Sequence, residues 1–234
     1  MKGTKSLTDK FVEDIERKIL SSEWKVGQKV PTLRELSDVM GLSRSVVNAG
    51  IMDLIGKGYL RTVPRKWTEV TDWRREGTLA VLNGIMKYDI WSEGVLKSLL
   101  DSRMLIECDC AYNAALNRKN EDLQILKHII SVEASGKERG IDEIIRYDLM
   151  FHHMIAIASG NVVYPLILKS FENSTHKLVS AFYSHDEVYN YVLDHHTRLL
   201  QAIESKDADR AKLIMQELLV HGERITRAEK KEVL

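Results

Sequence analysis

Two groups of residues in this chain have types and spacing that could do chemistry. The first is Asp148 and His152, four apart in the stretch 141–159, where Ile141, Ile144, Ile145, Phe151 and Ile155 make the surroundings apolar nearly all round. Residues four apart share one face of a helix. A carboxylate and an imidazole inside such a helix need partners, because burying either alone is costly. They can pair with each other, or both can ligate a metal ion, for which they are ordinary donors. Spacing alone favours the plain pair or a half-exposed imidazole over the metal. A further imidazole comes from 187–204, where His195 lies on the stripe Val188, Val192, Leu199, Ala202 and His196 on the stripe Tyr189, Leu193, Leu200, Ile203. Periodicity does not choose between these two. The second group is Arg44, Ser45 and Asn48, in which Arg44 and Asn48 share a face. Arginine can fork onto guanine O6/N7 and asparagine can pair with adenine N6/N7, so this face suits the major groove of DNA.

The elements that position the second group lie between Pro31 and Leu60. Thr32 is an N-capping residue ahead of a helix at Leu33–Met40, Gly41 supplies a tight turn, and Ser43 opens a second helix that stops before Gly58. Val47, Ile51 and Leu54 recur at i, i+4, i+7 and make the buried stripe, which leaves Arg44, Ser45 and Asn48 outside it. A solvated helical hairpin of any α-domain would carry the same pattern. Ahead of it, 7–22 reads as a helix with Phe11, Ile15, Ile19 and Leu20 inward and Ser6 or Thr8 as cap. After it, Tyr59–Thr62 and Trp67–Val70 read as two short strands around the turn Val63–Lys66. Arg65 and Lys66 at that turn could reach phosphates or the minor groove, or simply be solvated.

Beyond Val70 the chain reads as helices at 73–87, 92–117, 121–135, 141–159, 162–184, 187–204 and 207–229, with breaks at 89–92, 119–120, 136–140, 160–161, 184–186 and Lys206. Short breaks argue for antiparallel neighbours in a bundle. The fold class is therefore mainly α: a small helical module with a β-hairpin at 1–72, and an all-α antiparallel bundle at 73–234.

The composition, 44% hydrophobic and 29% charged, is that of an ordinary soluble globular protein. Net charge is zero, but residues 1–75 carry about five more basic than acidic side chains and the remainder about five more acidic. A basic module on an acidic body fits local attraction to phosphates. Cys108 and Cys110 are two apart on a helix, point to different faces, and suit buried thiols in a reducing compartment better than a disulfide. No apolar run approaches the roughly eighteen residues of a membrane span, and the N-terminus lacks a hydrophobic signal core, so a cytoplasmic protein with no membrane partner is expected.

The stretch Gly27, Val30-Pro31-Thr32, Arg34-Glu35-Leu36, Gly41-Leu42-Ser43-Arg44, Leu54 and Gly58-Tyr59-Leu60 resembles the winged helix-turn-helix of the GntR family of bacterial transcription regulators. The resemblance implies that Arg34, Ser43, Arg44 and Ser45 contact DNA, that Asn48 does so by position, and that Arg65 and Lys66 form the wing. Asn48-Ala49-Gly50 stand where the family usually has Arg-Glu-Ala, so the usual operator sequence is not implied. The remaining chain resembles the FCD effector domain of the FadR branch, through Arg103 and Glu107, the break Ala158-Ser159-Gly160-Asn161, and the linker 66–89. That resemblance selects His196 over His195 as a ligand beside Asp148 and His152. It implies a divalent metal (Zn, Mn or Ni). The family's fourth ligand position falls on Leu218; the nearest histidine, His221, is three residues on, about 4.5 Å along the helix axis, so either Asp148, His152 and His196 hold the metal with water completing the shell, or His221 adapts as the fourth ligand, or the metal is lost. Arg103 would hold an effector carboxylate, or pair with Glu107 at i, i+4.

These readings together imply no enzyme but a metabolite-sensing, homodimeric regulator, a repressor in kind. Its partners would be double-stranded operator DNA and a small-molecule effector, either an organic acid or an acyl-CoA. A metal hydrolase is the weaker alternative, since no His-Glu-x-x-His base motif accompanies the ligands; a helical scaffold with an inert pocket is the third.

Overall fold

The computed structural model describes residues 5–88, 90, 92–135, 140–183 and 186–233. Most of the break expected at 136–140, the start of the one expected at 184–186, and residues Asp89 and Trp91 lie outside the described residues. The chain divides into two compact units, Met1–Trp91 and Ser92–Leu234.

In the first unit, α1 (Leu7–Leu20) opens with a reciprocal cap. Ser6 Oγ accepts from the Asp9 amide at 3.1 Å, and the Asp9 carboxylate accepts from the Ser6 amide at 3.0 Å. Helix α2 (Leu33–Met40) repeats the device with Thr32 and Glu35, and ends on Gly41 at φ 64°. Helix α3 (Arg44–Lys57) is capped by Ser43 and ends on Gly58 at φ 83°, a left-handed residue that lets the chain turn into β1 (Leu60–Val63). β1 pairs antiparallel with β2 (Trp67–Val70) in the register Leu60↔Val70 to Val63↔Trp67. Phe11, Ile15, Val47, Leu54 and Tyr59 form the buried centre of this unit.

Helices α1 and α3 approach closely because Gly50 has no side chain. A Cβ there would lie 2.2 Å from Cδ1 of the buried Phe11 ring. Gly50→Ala is therefore expected to destabilise the unit by about 1–3 kcal/mol, against a gain in helix propensity of about 1 kcal/mol. Urea unfolding followed through the first transition measures it; an unchanged or higher midpoint would show that the ring gives way freely.

The single helix expected at 73–87 is two: α4 (Trp73–Glu76) and α5 (Ala80–Lys87), separated by extended Gly77. A tertiary contact holds the break. The Thr78 amide and hydroxyl both donate to the Lys57 carbonyl, at 3.0 and 3.3 Å, and so tie this segment to the end of α3. Helix α5 then lies on α1: Val81, Ile85 and Met86 are buried, Lys87 pairs with Glu13 at 2.6 Å, and the Tyr88 hydroxyl donates to the buried Glu16 at 2.8 Å. Residues 73–88, assigned from the sequence to the second domain, thus pack within the first unit.

The second unit contains α6 (Glu93–Asn117), α7 (Asn120–Ala134), α8 (Ile141–Ala158), α9 (Tyr164–Phe182), α10 (Asp186–Glu204) and α11 (Ala208–Val233). Small residues on α6 (Ala111, Ala114, Ala115) and Ala211 on α11 let those helices pack closely around Phe151, Ile155, Leu199 and Ile203. Both cysteines are free and buried; burial pushes the Cys108 thiol up to about 11 and Cys110 higher still, so neither is a ready nucleophile. No helix among the described residues is long and apolar enough to cross a membrane.

Candidate functional site

In the first unit Val47, Ile51 and Leu54 are buried while Arg44, Ser45 and Asn48 are exposed, so α3 presents the polar face expected of it. Ser43 is occupied locally: its hydroxyl accepts from the Val46 amide at 3.3 Å and lies 2.9 Å from the Ser45 hydroxyl. Those hydroxyls stand at the N-terminal end of α3, where a helix is hospitable to a phosphate. Arg34 stands on α2, largely exposed, 3.8 Å from Asp38. At the wing Arg65 takes φ 60°, and the Lys66 ammonium lies over the Trp67 ring at 5.6 Å, with Lys29 over the same ring at 5.8 Å. Three lysine or arginine side chains thus cluster at one end of the hairpin.

In the second unit α8 carries Asp148 and His152, and α10 carries His196. All three are buried, and their donor atoms lie within 4.8 Å of one another. Behind each of these three side chains stands a residue from a different helix or helix end. The Tyr183 hydroxyl donates to Asp148 Oδ1 at 3.0 Å; His152 Nδ1 lies 2.5 Å from Glu107 on α6; His196 Nδ1 lies 2.9 Å from Glu133 on α7. Phe151 packs against the His196 ring at 4.1 Å between centroids. His196 Nε2 is left buried with no hydrogen-bond partner among the described residues, 3.8 Å from Asp148 Oδ1. A buried acceptor left unmade costs about 1–3 kcal/mol. An ion bound by that nitrogen, a second imidazole and a carboxylate would remove the cost, and one oxygen with two nitrogens is an ordinary donor set for a divalent metal. The residues present fit such a group.

Charge beside these three residues is arranged around Glu107. Burial alone would raise its carboxyl, but Arg103, with Nε 2.6 Å away, and His152 outweigh burial and hold it at about 2. Burial alone would likewise favour the neutral His152 ring; Glu107 outweighs it and raises the His152 pKa. A cavity of about 40 Å³ opens beside Asp148 and His152, walled by Arg103, Met104, Phe182 and Leu218. At about 10–15 Å³ for each water-sized occupant, that is room for an ion and a few small ligand atoms. A second cavity of about 190 Å³ shares Arg103, Glu107 and His152 but is otherwise largely apolar, with Ile125, Ile129, Leu149 and Met154.

Not every expected residue joins the cluster. His221 lies outside it: its ring stacks on Tyr191 at 3.8 Å and meets the edge of Phe182 at 6.0 Å. The three-residue offset turns its side chain away, and Leu218 faces the cavity with no donor atom. His195, equal to His196 by periodicity, instead stacks on Tyr191 at 4.0 Å. Arg103 makes the i, i+4 pair with Glu107 that was one of its two readings. Glu133 and Tyr183 were missed. Glu133 left a trace, an acid on the apolar stripe Leu126, Ile129 of its helix; Tyr183 left none.

A family model described as bacterial regulatory proteins, gntR family, matches residues 7–70, and one described as the FCD domain matches residues 98–221, more than half the chain. The chain belongs to the GntR family, in the branch that carries an FCD domain. It is a DNA-binding regulator of transcription of the ligand-responsive kind; its family and its neighbours are regulators and not enzymes. The fatty acid metabolism regulator protein of Shewanella oneidensis is 26% identical over 201 residues, spanning 85% of this chain and 80% of that one. The Glc operon transcriptional activator of Escherichia coli K12 is 28% identical over 199 residues, spanning 82% and 77%. Among solved structures, a Listeria monocytogenes protein titled Lar superposes with a TM-score of 0.65 at 12% identity, covering 96% of this chain and 98% of that one. Escherichia coli McbR/YncC does so with a TM-score of 0.56 at 16% identity, covering 97% and 100%. These likenesses support the fold, mainly α with a two-stranded hairpin in the first unit. GntR regulators of this branch bind operator DNA and small-molecule effectors.

Proposed function

We propose that this GntR regulator is a cytoplasmic homodimer acting as a metabolite-responsive repressor. Its helical unit binds a small carboxylate effector through a divalent metal (Zn, Mn or Ni) held by Asp148, His152 and His196. In this reading Arg44, Ser45 and Asn48 read bases, Arg34 and Ser43 set the start of the helix-turn-helix on the backbone, and Arg65 and Lys66 contact phosphates from the wing. Functionally, residues 1–72 bind DNA and 73–234 sense and dimerise. Two copies would lay two recognition helices on half-sites about one DNA turn apart. The effector must bind one arrangement of the two modules better than the other, since only that difference can shift operator affinity.

The observation that carries the metal reading is His196 Nε2, without a hydrogen-bond partner among the described residues and facing Asp148 inside a buried cluster. Water or effector oxygens would take the position that Leu218 leaves without a donor. Arg103 borders both cavities and would steer an incoming carboxylate although one edge of it is on Glu107. The 40 Å³ beside the ligands favours a small acid. A second reading is an acyl-CoA effector without metal: relatives bear the name fatty acid metabolism regulator, and the apolar 190 Å³ cavity suits a hydrocarbon tail. A thermal-shift screen of metal-loaded and chelated protein with small carboxylates and acyl-CoAs separates them, because a ligand that binds only the folded state raises apparent stability. A shift with small acids that vanishes on chelation supports the first reading; a shift with acyl-CoA that survives chelation supports the second.

The wing makes a separate expectation. Lys66→Ala should lower the slope of log affinity against log salt by about one, with similar loss on specific and random duplex, as for a phosphate contact. Binding titrations across a series of salt concentrations measure it. An unchanged slope would leave Lys66 with only its contact to Trp67.

A further inference from the structure

We infer that Glu133 is a positioning residue of the metal centre, which fixes His196 with its proton on Nδ1 and its Nε2 lone pair turned toward Asp148 and His152. The inference rests on the metal reading of the preceding section. Glu133 lies near the end of α7, is 1% exposed, and reaches across 63 residues of sequence to His196 with both oxygens at 2.9 and 3.0 Å from Nδ1. A carboxylate only accepts, so the ring nitrogen facing it must donate. The neutral ring then has its remaining lone pair on Nε2, the atom with no hydrogen-bond partner among the described residues. The Tyr189 hydroxyl donates to the Glu133 backbone carbonyl at 2.6 Å and fixes the segment from which the carboxylate projects.

Charge supports the same assignment. Glu107 is matched by Arg103 at 2.6 Å, whereas among the described residues no lysine or arginine pairs with Glu133. Glu107, Glu133 and Asp148 are three buried carboxyl groups set beside one guanidinium, that of Arg103. Buried carboxyl groups call for positive partners, and a divalent cation is one. Outer carboxylates that grip the far nitrogen of a ligating imidazole ordinarily change metal affinity by about 10–100-fold when removed.

The test is a zinc titration of the full chain against a chelating dye, with wild type, Glu133→Gln and Glu133→Ala side by side. Glutamine keeps an acceptor oxygen for Nδ1–H; alanine does not. The expected result is a loss of about 10–100-fold in zinc affinity for Glu133→Ala and recovery of most of it in Glu133→Gln. Nitrogen-detected imidazole spectra of wild type should place the His196 proton on Nδ1 in both the zinc-free and zinc-loaded protein. This arm needs no variant to fold. Wild-type affinity in Glu133→Ala, equal impairment of both variants, or a wild-type His196 proton on Nε2 overturns the inference. A wild type that takes up no zinc overturns the metal reading as well, and is seen before any variant is compared.

Discussion

Arg44→Ala is expected to weaken binding to the protein's own operator by about 1–3 kcal/mol, roughly 5–150-fold, while binding to random duplex falls far less. Ser43 caps α3, Val47, Ile51 and Leu54 fix its inner side, and Arg44 is left one residue past the cap with its side chain exposed. A guanidinium there can fork onto a guanine edge, and that bond disappears when the base changes. Phosphate contacts such as the one expected of Lys66 do not discriminate in this way. Folding is not the issue, since Arg44 contributes nothing to the core of the unit. Band-shift or anisotropy titrations with operator and scrambled duplex at one salt concentration measure the effect. Equal losses on both duplexes would reduce Arg44 to a backbone contact.

The second large effect is expected at the metal centre. Asp148→Asn should lower the affinity for Zn²⁺ at least about 100-fold, because a neutral amide replaces a charged ligand in a site with only three protein donors. The substitution keeps the volume, and the amide can still accept from the Tyr183 hydroxyl now at 3.0 Å, so the fold should survive. His196→Ala removes metal too, but it also strands the buried Glu133 and opens a hole beside Phe151. Its loss of stability, about 3–5 kcal/mol for a buried pair broken on one side, would confuse the reading. Elemental analysis after dialysis, with the unfolding midpoint recorded beside it, distinguishes the two. Unchanged metal content in Asp148→Asn would remove the site proposed from this cluster.

The parts of this structure that were legible in the sequence are those decided within one or two helical turns. Ser6, Thr32 and Ser43 at the helix starts, and Gly41 and Gly58 at the ends, carry their conformational meaning locally, and α2 and α3 begin and stop where those residues require. Asp148 and His152 were visible as a pair for the same reason, since residues four apart share a helix face. What depended on contacts across the chain was not legible. The helix expected at 73–87 ran past Gly77; the break there is tied down by Thr78 bonding Lys57, a contact across the chain. His195 and His196 each lie on an apolar stripe, and only the placement of α8 and Tyr191 makes one a ligand candidate and the other a stacking ring. Glu107, Glu133 and Tyr183 come from three other parts of the chain, so the outer half of the site appears only when the bundle is assembled. His221 shows the limit of residue type: of the alternatives open at the fourth position, sequence could not say that the helix turns this ring onto Tyr191.

The central claim is that the first unit reads a DNA sequence under the control of a small molecule held in the second. It is tested most directly by measuring the affinity of the purified, metal-loaded protein for fragments of its own upstream region and for random duplex, with and without small carboxylates. The account predicts that one fragment binds at least about 10³-fold more tightly than random duplex, and that an acid which raises thermal stability changes that ratio. Equal affinity for every fragment and for random duplex, in the presence and absence of every acid, would contradict it.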